Sequence, residues 1–342
     1  ESPLWHEKIG RIHALLERVK ISEEQSGDVL HLRKLNRIMS IHASTAIEGN
    51  QLTLGQARDV INGIPVWGSP KDIKEIQNAW QAYEALDTLD PWSGDSLLGA
   101  HMLMTGGLID ESGAFRTVDV AVMRGDGTVL HRGASPESVP TRVAELLDWG
   151  KQSPAHPLIK SSAVHFMLEH IHPFRDGNGR IGRLWQTLIL SKWNPLFAWM
   201  PVETLVHYNQ ALYYRKLQES HTGKVDCKPF IDCMLDMIEN SMYRYIDVAS
   251  ETKEGISPVR ETRPIEPDSP DVPVNVPVNV PVNQQRILAI LKVNPSATAA
   301  QMAEQIGVTD KTIKRALNAL KAAGLVARVG PDKTGHWEVK GE

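Results

Sequence analysis

The sequence predicts a mainly α-helical body carrying one β-hairpin, followed by an extended spacer and a small basic module. Three observations lead there. Apolar residues recur at spacings of three and four over most of the first 250 positions, the period of one helix face. One stretch breaks that habit: in "VDVAVMRGDGTVLHR", residues 118–132, β-branched residues flank Gly125-Asp126-Gly127, as two short strands and a tight turn require. Finally, "VPVN" occurs three times in succession from Val272, and proline at every fourth position forbids helix and stiffens the chain.

Taken in order, Ile9, Ile12, Leu15, Leu16 and Val19 mark a first amphipathic helix, and Leu30, Leu32, Leu35, Ile38, Met39 and Ile41 a second. Gly49 and Asn50 stop that second helix, and Thr53 reads as the N-cap of the next. Further helices are expected over 71–89 and 95–104, the latter ending at Gly106-Gly107. After the hairpin, helices resume over 141–151, 159–170, 180–192, 203–218 and 229–245, with Ala163, Phe166, Met167 and His170 facing inward. Four segments result: 1–94, 95–250, a spacer over 251–283, and 284–342, which reads as helix, helix, turn, helix and a small hairpin.

At roughly 150 residues per domain, 342 residues suggest about two domains. With 42% hydrophobic and 23% charged residues the composition is that of a globular protein, not a disordered one. The net charge of −4 is unevenly spread: residues 284–342 carry nine Lys/Arg against five Asp/Glu, or +4, which leaves −8 on the rest. Cys227 and Cys233 match neither a metal-site spacing nor a disulfide framework. "ESPLWHEKIGR" lacks the basic start and apolar run of a signal peptide, and no stretch approaches ~18 apolar residues. A reducing, cytoplasmic setting without a membrane partner is the expectation.

Chemistry concentrates in "HPFRDGNGRIGR", His172 to Arg183. Proline ends the preceding helix, and Asp176, Gly177, Asn178 and Gly179 form a loop that opens a new helix near Arg180. Unsatisfied N–H groups at a glycine-rich helix entrance cradle phosphate, and Arg180 and Arg183, three apart, can face one site. A polyphosphate held there needs a hard cation, for which Asp176 is the ligand, and His172 beside it is the natural general base. The residues imply attack by a hydroxyl on a nucleotide phosphate, without saying which phosphate or whose hydroxyl.

The same twelve residues resemble the signature of the Fic family, His-x-Phe-x-Asp/Glu-Gly-Asn-Gly-Arg-x-x-Arg, at every specified position. The likeness extends over roughly residues 40–245, with "GAFRT" at 113–117 similar to the segment leading into that family's target-docking flap and "YYRKL" at 213–217 similar to a later helix. This resemblance implies a Fic helical domain in which His172 deprotonates a Ser, Thr or Tyr hydroxyl of a target protein, or of the chain itself, for attack on the α-phosphate of ATP. Asp176 would hold Mg2+, Gly177, Asn178 and Gly179 would form the anion nest, and Arg180 and Arg183 would bind the outer phosphates. Phe174 would anchor the loop by packing, Val120, Ala121, Val122 and Met123 would hold an extended target segment, and Tyr213 would border the adenosine. His221 stands where many relatives carry asparagine. "STAIEGN" also resembles the family's inhibitory motif through Ser44, Glu48, Gly49 and Asn50, which implies a Glu48–Arg183 pair that competes with the γ-phosphate.

Residues 284–342 resemble a winged helix-turn-helix. In "DKTIKRALNALKAAG", Ile313, Leu317 and Leu320 share one face, leaving Lys311, Thr312, Lys314 and Arg315 on a basic face suited to double-stranded DNA. The leading expectation is an autoinhibited protein adenylyltransferase. Two alternatives stay open: a transcriptional or toxin-like regulator acting through the winged helix, and a related activity on the same scaffold, such as AMP removal or transfer of UMP, phosphate or phosphocholine. A homodimer is allowed.

Overall fold

The computed structural model describes residues 3–26, 28–123, 129–221 and 225–253, and within 287–339 the residues 287, 291, 298, 299, 301, 302, 313, 314, 317, 318, 320, 321, 326–329 and 336–339. The chain forms two compact units, Glu1–Val272 and Pro273–Glu342.

The described part of the first unit contains α1 (Pro3–Ser26), α2 (Val29–Ile47), α3 (Leu54–Ile61), α4 (Pro70–Glu84) and α5 (Gly94–Thr105), then β1 (Ala121–Met123) and β2 (Val129–Arg132). It continues with α6 (Val139–Gln152), α7 (Pro157–Ile171), α8 (Asn178–Trp193), α9 (Val202–Tyr208), α10 (Gln210–His221) and α11 (Lys228–Lys253). Polar residues fix several starts by accepting from first-turn N–H groups: Asp28 for α2, Ser69 for α4 and Ser93 for α5. Thr53 does so for α3 within a full capping box with Gln56.

Helix α7 is buried on nearly every face, with Ser161, Ser162, His165 and Glu169 enclosed beside its apolar residues. Phe166 on one side joins a core with Ile12, Val19, Leu205, Phe230 and Tyr245, which docks α1 along α11. Val164 and Leu168 on the other side join a core with Ile41, Ile76, Tyr83, Leu97, Phe174 and Trp185. Met167 and His170 are half-buried. Helices α7 and α8 pack side by side and contribute to both cores, so the loop joining them is held by buried helix ends.

Two boundaries differ from the sequence expectation. The segment 203–218 is two helices, α9 and α10, broken at Asn209 (φ −111°, ψ 32°). Both the Asn209 backbone N–H and its side-chain Nδ2 donate to Leu205 O, at 3.0 and 2.9 Å. A side chain that bonds its own preceding turn ends a helix that apolar periodicity would continue. Helix α11 reaches Lys253, so the first three positions assigned to the spacer are helical, while 254–283 lies outside the described residues. The hairpin pairs Ala121 with Arg132 and Val122 with His131, with a shift before Met123, which faces Val129. Its turn, 124–128, is outside the described residues.

In the second unit Ile287, Leu291, Met302, Ile313, Leu317, Leu320 and Val326 are buried, and Thr298 and Gln301 form a capping box. β3 (Val326–Val329) and β4 (His336–Val339) pair antiparallel as a wing. Lys314 is exposed on its helix; Lys311, Thr312 and Arg315 lie outside the described residues. Among the described residues no helix is long and apolar enough to cross a membrane.

Candidate active site

Helix α7 closes on His172, whose N–H donates to Leu168 O at 2.9 Å and whose backbone turns into the left-handed region (φ 53°, ψ 61°). It is the one non-glycine residue with positive φ among the described residues. That conformation costs an L-residue about 1–2 kcal/mol and persists where neighbours over-determine it. Arg116 supplies the constraint. Its buried guanidinium donates to His172 O (2.7 Å), Val118 O (2.7 Å) and Ile171 O (3.4 Å), and also to Ala134 O. One cation thus fastens the helix end, the segment leading into the hairpin and the segment leaving it. At Gly133 a Cβ would lie 2.7 Å from Arg116 Nη2 and 3.2 Å from His172 Cβ, so the hairpin exit packs against the histidine only because that position has no side chain.

The rest of the loop is pinned from two sides. Fully buried Phe174 stacks on His101 with centroids 3.8 Å apart. His101 donates from Nε2 to Asp176 O and accepts Gly113 N at Nδ1, both at 3.0 Å, which fixes its neutral tautomer; burial lowers its pKa in the same sense. Asn178 Oδ1 accepts from Phe174 N (2.9 Å) and its Nδ2 donates to Phe174 O (2.8 Å). The Asn178 side chain therefore fastens the loop, leaving its backbone N–H for a ligand. Helix α8 starts after Gly177 (φ 86°) without a side-chain cap, so the N–H groups of Asn178, Gly179 and Arg180 have no intrahelical acceptor.

The two arginines of α8 meet different carboxylates. Buried Arg180 contacts Glu75 on α4 (3.4 Å) and Asp176 (3.3 Å), and its Nε meets no acceptor among the described residues. Glu75 also accepts from Asn50 Nδ2 at 2.9 Å. Buried Arg183 donates to Ser44 Oγ (3.1 Å), Ser44 O (3.0 Å) and Glu48 Oε1 (2.6 Å). Burial alone would lower its pKa, but the Glu48 carboxylate outweighs that and raises it. A Cβ at Gly179 would stand 2.4 Å from Glu48 Oε1, so the carboxylate rests directly on the first turn of α8. The helix entrance already faces an anion, one that comes from the chain itself. Gly49 (φ 95°) turns the chain away after Glu48.

His172 is the reactive candidate. Its Nδ1 faces Glu169 O at 3.4 Å, and a carbonyl only accepts, so the proton sits on Nδ1 and Nε2 carries the lone pair. Burial pushes its pKa down to about 4, keeping the ring neutral. Beneath Arg183 lies Glu169, whose carboxyl burial raises to about 7 against the pull of Arg183. The Asp176 carboxylate is 53% exposed, with Oδ1 accepting from Gly177 N at 2.6 Å.

A crystal structure of a Fic family protein from Desulfovibrio desulfuricans G20 superposes with TM-score 0.69 and 32% identity, covering 100% of this chain and 97% of that one. The chain belongs to the Fic family. The Fic/DOC family model matches residues 91–190, and a winged helix-turn-helix DNA-binding model matches 282–327. Protein adenylyltransferase fic-1 of Caenorhabditis elegans is 29% identical over 262 residues, 71% of this chain and 49% of that protein. A structure of Fic-1 residues 134–508 from C. elegans matches with TM-score 0.53 and 25% identity, over 70% of this chain and 73% of that one. The chain spans about half the length of the curated relatives it matches.

Tyr213, placed by sequence beside an adenosine, is 1% exposed, its phenol donating to His165 Nε2 (3.1 Å) while His165 Nδ1 donates to Gln186 Oε1 (2.6 Å). Its neighbour Tyr214 is the more exposed of the two, at 40%, and both phenols lie in the field of Glu48 and Arg183. Sequence reasoning gave no role to Arg116, His101 or Glu75. Arg116 lies in the "GAFRT" segment, whose likeness to the family did not say what the arginine holds, and His101 and Glu75 are single polar residues in helical stretches with no motif spacing to the loop. Replacing Arg116 with Met removes a guanidinium whose charged hydrogen bonds are worth about 1.5–3 kcal/mol apiece. Urea unfolding of Arg116→Met is expected to show a loss of about 2–5 kcal/mol, with faster amide exchange at residues 171–174. Unchanged stability and exchange would contradict the clamp.

Proposed function

We propose that this Fic-family chain is an autoinhibited protein adenylyltransferase, moving AMP from ATP to a hydroxyl of a target protein or of itself. The observation that carries this reading is that the lone-pair nitrogen of His172 stands at the head of a loop whose helix entrance presents free N–H donors and a buried arginine already bound to a carboxylate. The relatives named protein adenylyltransferase point to the same chemistry.

In the reaction, His172 Nε2 takes the proton of the target hydroxyl, whose oxygen forms a bond to the α-phosphorus as the bond to the bridging oxygen breaks and pyrophosphate leaves. The first-turn N–H groups of α8, together with Arg180 and Arg183, hold the phosphate oxygens. The orphaned, buried Nε of Arg180 and the exposed carboxylate of Asp176 fit a polyphosphate with Mg2+, which takes one or two carboxylates and completes its shell with phosphate and water oxygens. Bound there, Mg2+ would neutralise charge on the phosphates; Asp176 is the residue that would hold it. Among the described residues β1 pairs with β2 alone, so its other edge is open for an extended segment to add as a strand alongside Val120 to Met123.

Glu48 is the brake. While it holds Arg183, a γ-phosphate has to displace a carboxylate from a buried guanidinium, and ATP that enters without doing so lies in an unproductive pose. The winged unit, with its Lys314 exposed on a helix and a match to DNA-binding modules, supports a second role in binding duplex DNA.

With ATP labelled at the α-phosphate, Glu48→Gly is expected to raise protein labelling about tenfold or more, since a charge-assisted contact of about 1.5–3 kcal/mol is removed. Glu48→Gly/His172→Ala should carry no label. A folded Glu48→Gly protein with an unchanged or lower rate contradicts the brake, and label in the double variant contradicts His172 as the base. Duplex DNA should bind with an affinity that falls steeply as salt rises, because phosphate contacts release counterions; absent or salt-insensitive association refutes the second role.

A further inference from the structure

Three histidines with no part in the transfer chemistry converge on one point of the first unit. His131 comes from β2, His170 from the last turn of α7 and His221 from the end of α10, and each is half-buried. One nitrogen of each ring lies within 4.8 Å of the others, the one such group of three potential ligands among the described residues. The Nδ1 atoms of His170 and His221 are 3.0 Å apart, and His131 stacks on His221 with centroids 4.0 Å apart and planes 14° from parallel.

The hydrogen-bond inventory of these rings leaves lone pairs over. His131 Nε2 lies 2.6 Å from His170 O, which can only accept, so the proton is on Nε2 and Nδ1 keeps a lone pair. Across the His170–His221 contact a single proton satisfies both nitrogens. Additional protons are disfavoured: burial and mutual repulsion hold His170 near a pKa of about 4 and His221 near about 3, and burial lowers that of His131. A cluster of neutral imidazoles that resists protonation is a donor set for a different cation.

We propose that His131, His170 and His221 form a zinc-class transition-metal site that ties the hairpin to the helices behind His172. Neutral imidazole is the ligand such ions prefer, and three histidines with one further position make a four-coordinate centre. The Nε2–H of His131 on a backbone carbonyl is the outer contact that orients metal-binding histidines and fixes which nitrogen is free. Bonds of about 2.0–2.1 Å place the nitrogens of a tetrahedral zinc about 3.3–3.4 Å apart. The 3.0 Å pair has to open by a few tenths of an ångström, the widest separation, 4.8 Å at most, has to close by about 1.4 Å, and His131 and His221 have to turn out of their stack, because a metal lies in the plane of each imidazole it binds. Arg142 acts on His170 as a nearby positive charge that opposes a dication, so the fourth ligand is an anion or hydroxide. This assignment is independent of the transfer reaction. Its structural consequence is specific: His170 precedes His172 by two residues, and His131 precedes by two the Gly133 that packs on His172. A metal here would set the hairpin against the reactive histidine.

The test uses the full chain, freed of metal and titrated with Zn2+ against a chromophoric chelator, and with Co2+ for its visible spectrum. One equivalent of Zn2+ should bind, with the spectrum of four-coordinate, nitrogen-ligated Co2+, and His131→Ala, His170→Ala and His221→Ala should each weaken binding by about tenfold or more. Zn2+ should also slow amide exchange in both hairpin strands. His13, whose ring lies 3.3 Å from His156, is the other place for zinc to settle, so His13→Ala is the control and should bind as the parent does. If His170→Ala fails to fold, His131→Ala, on a short strand, still decides the question. The proposal is overturned if no Zn2+ binds at micromolar concentration, if binding is lost in His13→Ala and retained in the cluster variants, or if the hairpin gains no protection.

Discussion

A buried guanidinium at the start of α8 has to be paired with an anion, and much of the site follows from that requirement. Arg183 is 3% exposed, and leaving such a charge without a partner would cost several kcal/mol. The chain meets the demand from α2: Ser44 offers its hydroxyl and carbonyl, and Glu48, at the helix end, offers a carboxylate at 2.6 Å. Arg180, one turn earlier, meets Glu75 and Asp176 through its terminal nitrogens, and Glu75 in turn holds Asn50. Both cations that a phosphate would seek are thus occupied by carboxylates, and the motif that supplies one is anchored by the carboxylate that satisfies the other. The same electrostatics that would favour a phosphate at the helix entrance favour the glutamate that fills it.

Around this pair the loop is rigid for reasons of backbone geometry. His172 occupies a left-handed conformation, Gly177 another, and between them Phe174 is fully buried against His101. Each peptide that turns inward is met: His172 O by Arg116, Asp176 O by His101, and both polar atoms of the Phe174 backbone by Asn178. In the proposed reaction a nitrogen held this way would need little reorganisation when a substrate arrives. The hairpin is more lightly built, with three paired positions and a register shift, and its attachment runs through Arg116 and the contact at Gly133.

Much of this was legible in the sequence, because the information is local there. Apolar periodicity gives the helices, Thr53 gives a start, and twelve consecutive residues give the loop and the helix it opens. Glu48 and Arg183 are 135 positions apart, and only the resemblance to a family motif joined them before the structure did. What stayed hidden depends on long-range contact or on a single competing hydrogen bond. Asn209 breaks a helix through its own side chain, and periodicity is blind to that. Tyr213 and Tyr214 are adjacent, and a one-residue difference in helix phase decides which is core and which is surface. Arg116 and the three clustered histidines are scattered along the chain and carry meaning only once the hairpin folds over α7.

The central claim is that Glu48 satisfies Arg183 in the free protein and so holds the place of a phosphate. A double-mutant cycle over Glu48→Gln and Arg183→Met, read by denaturant unfolding without nucleotide, measures that interaction directly. The account expects a favourable coupling of about 1–3 kcal/mol, the range for a contacting charged pair. A coupling indistinguishable from zero would mean that the two side chains do not hold each other in solution, and would contradict it.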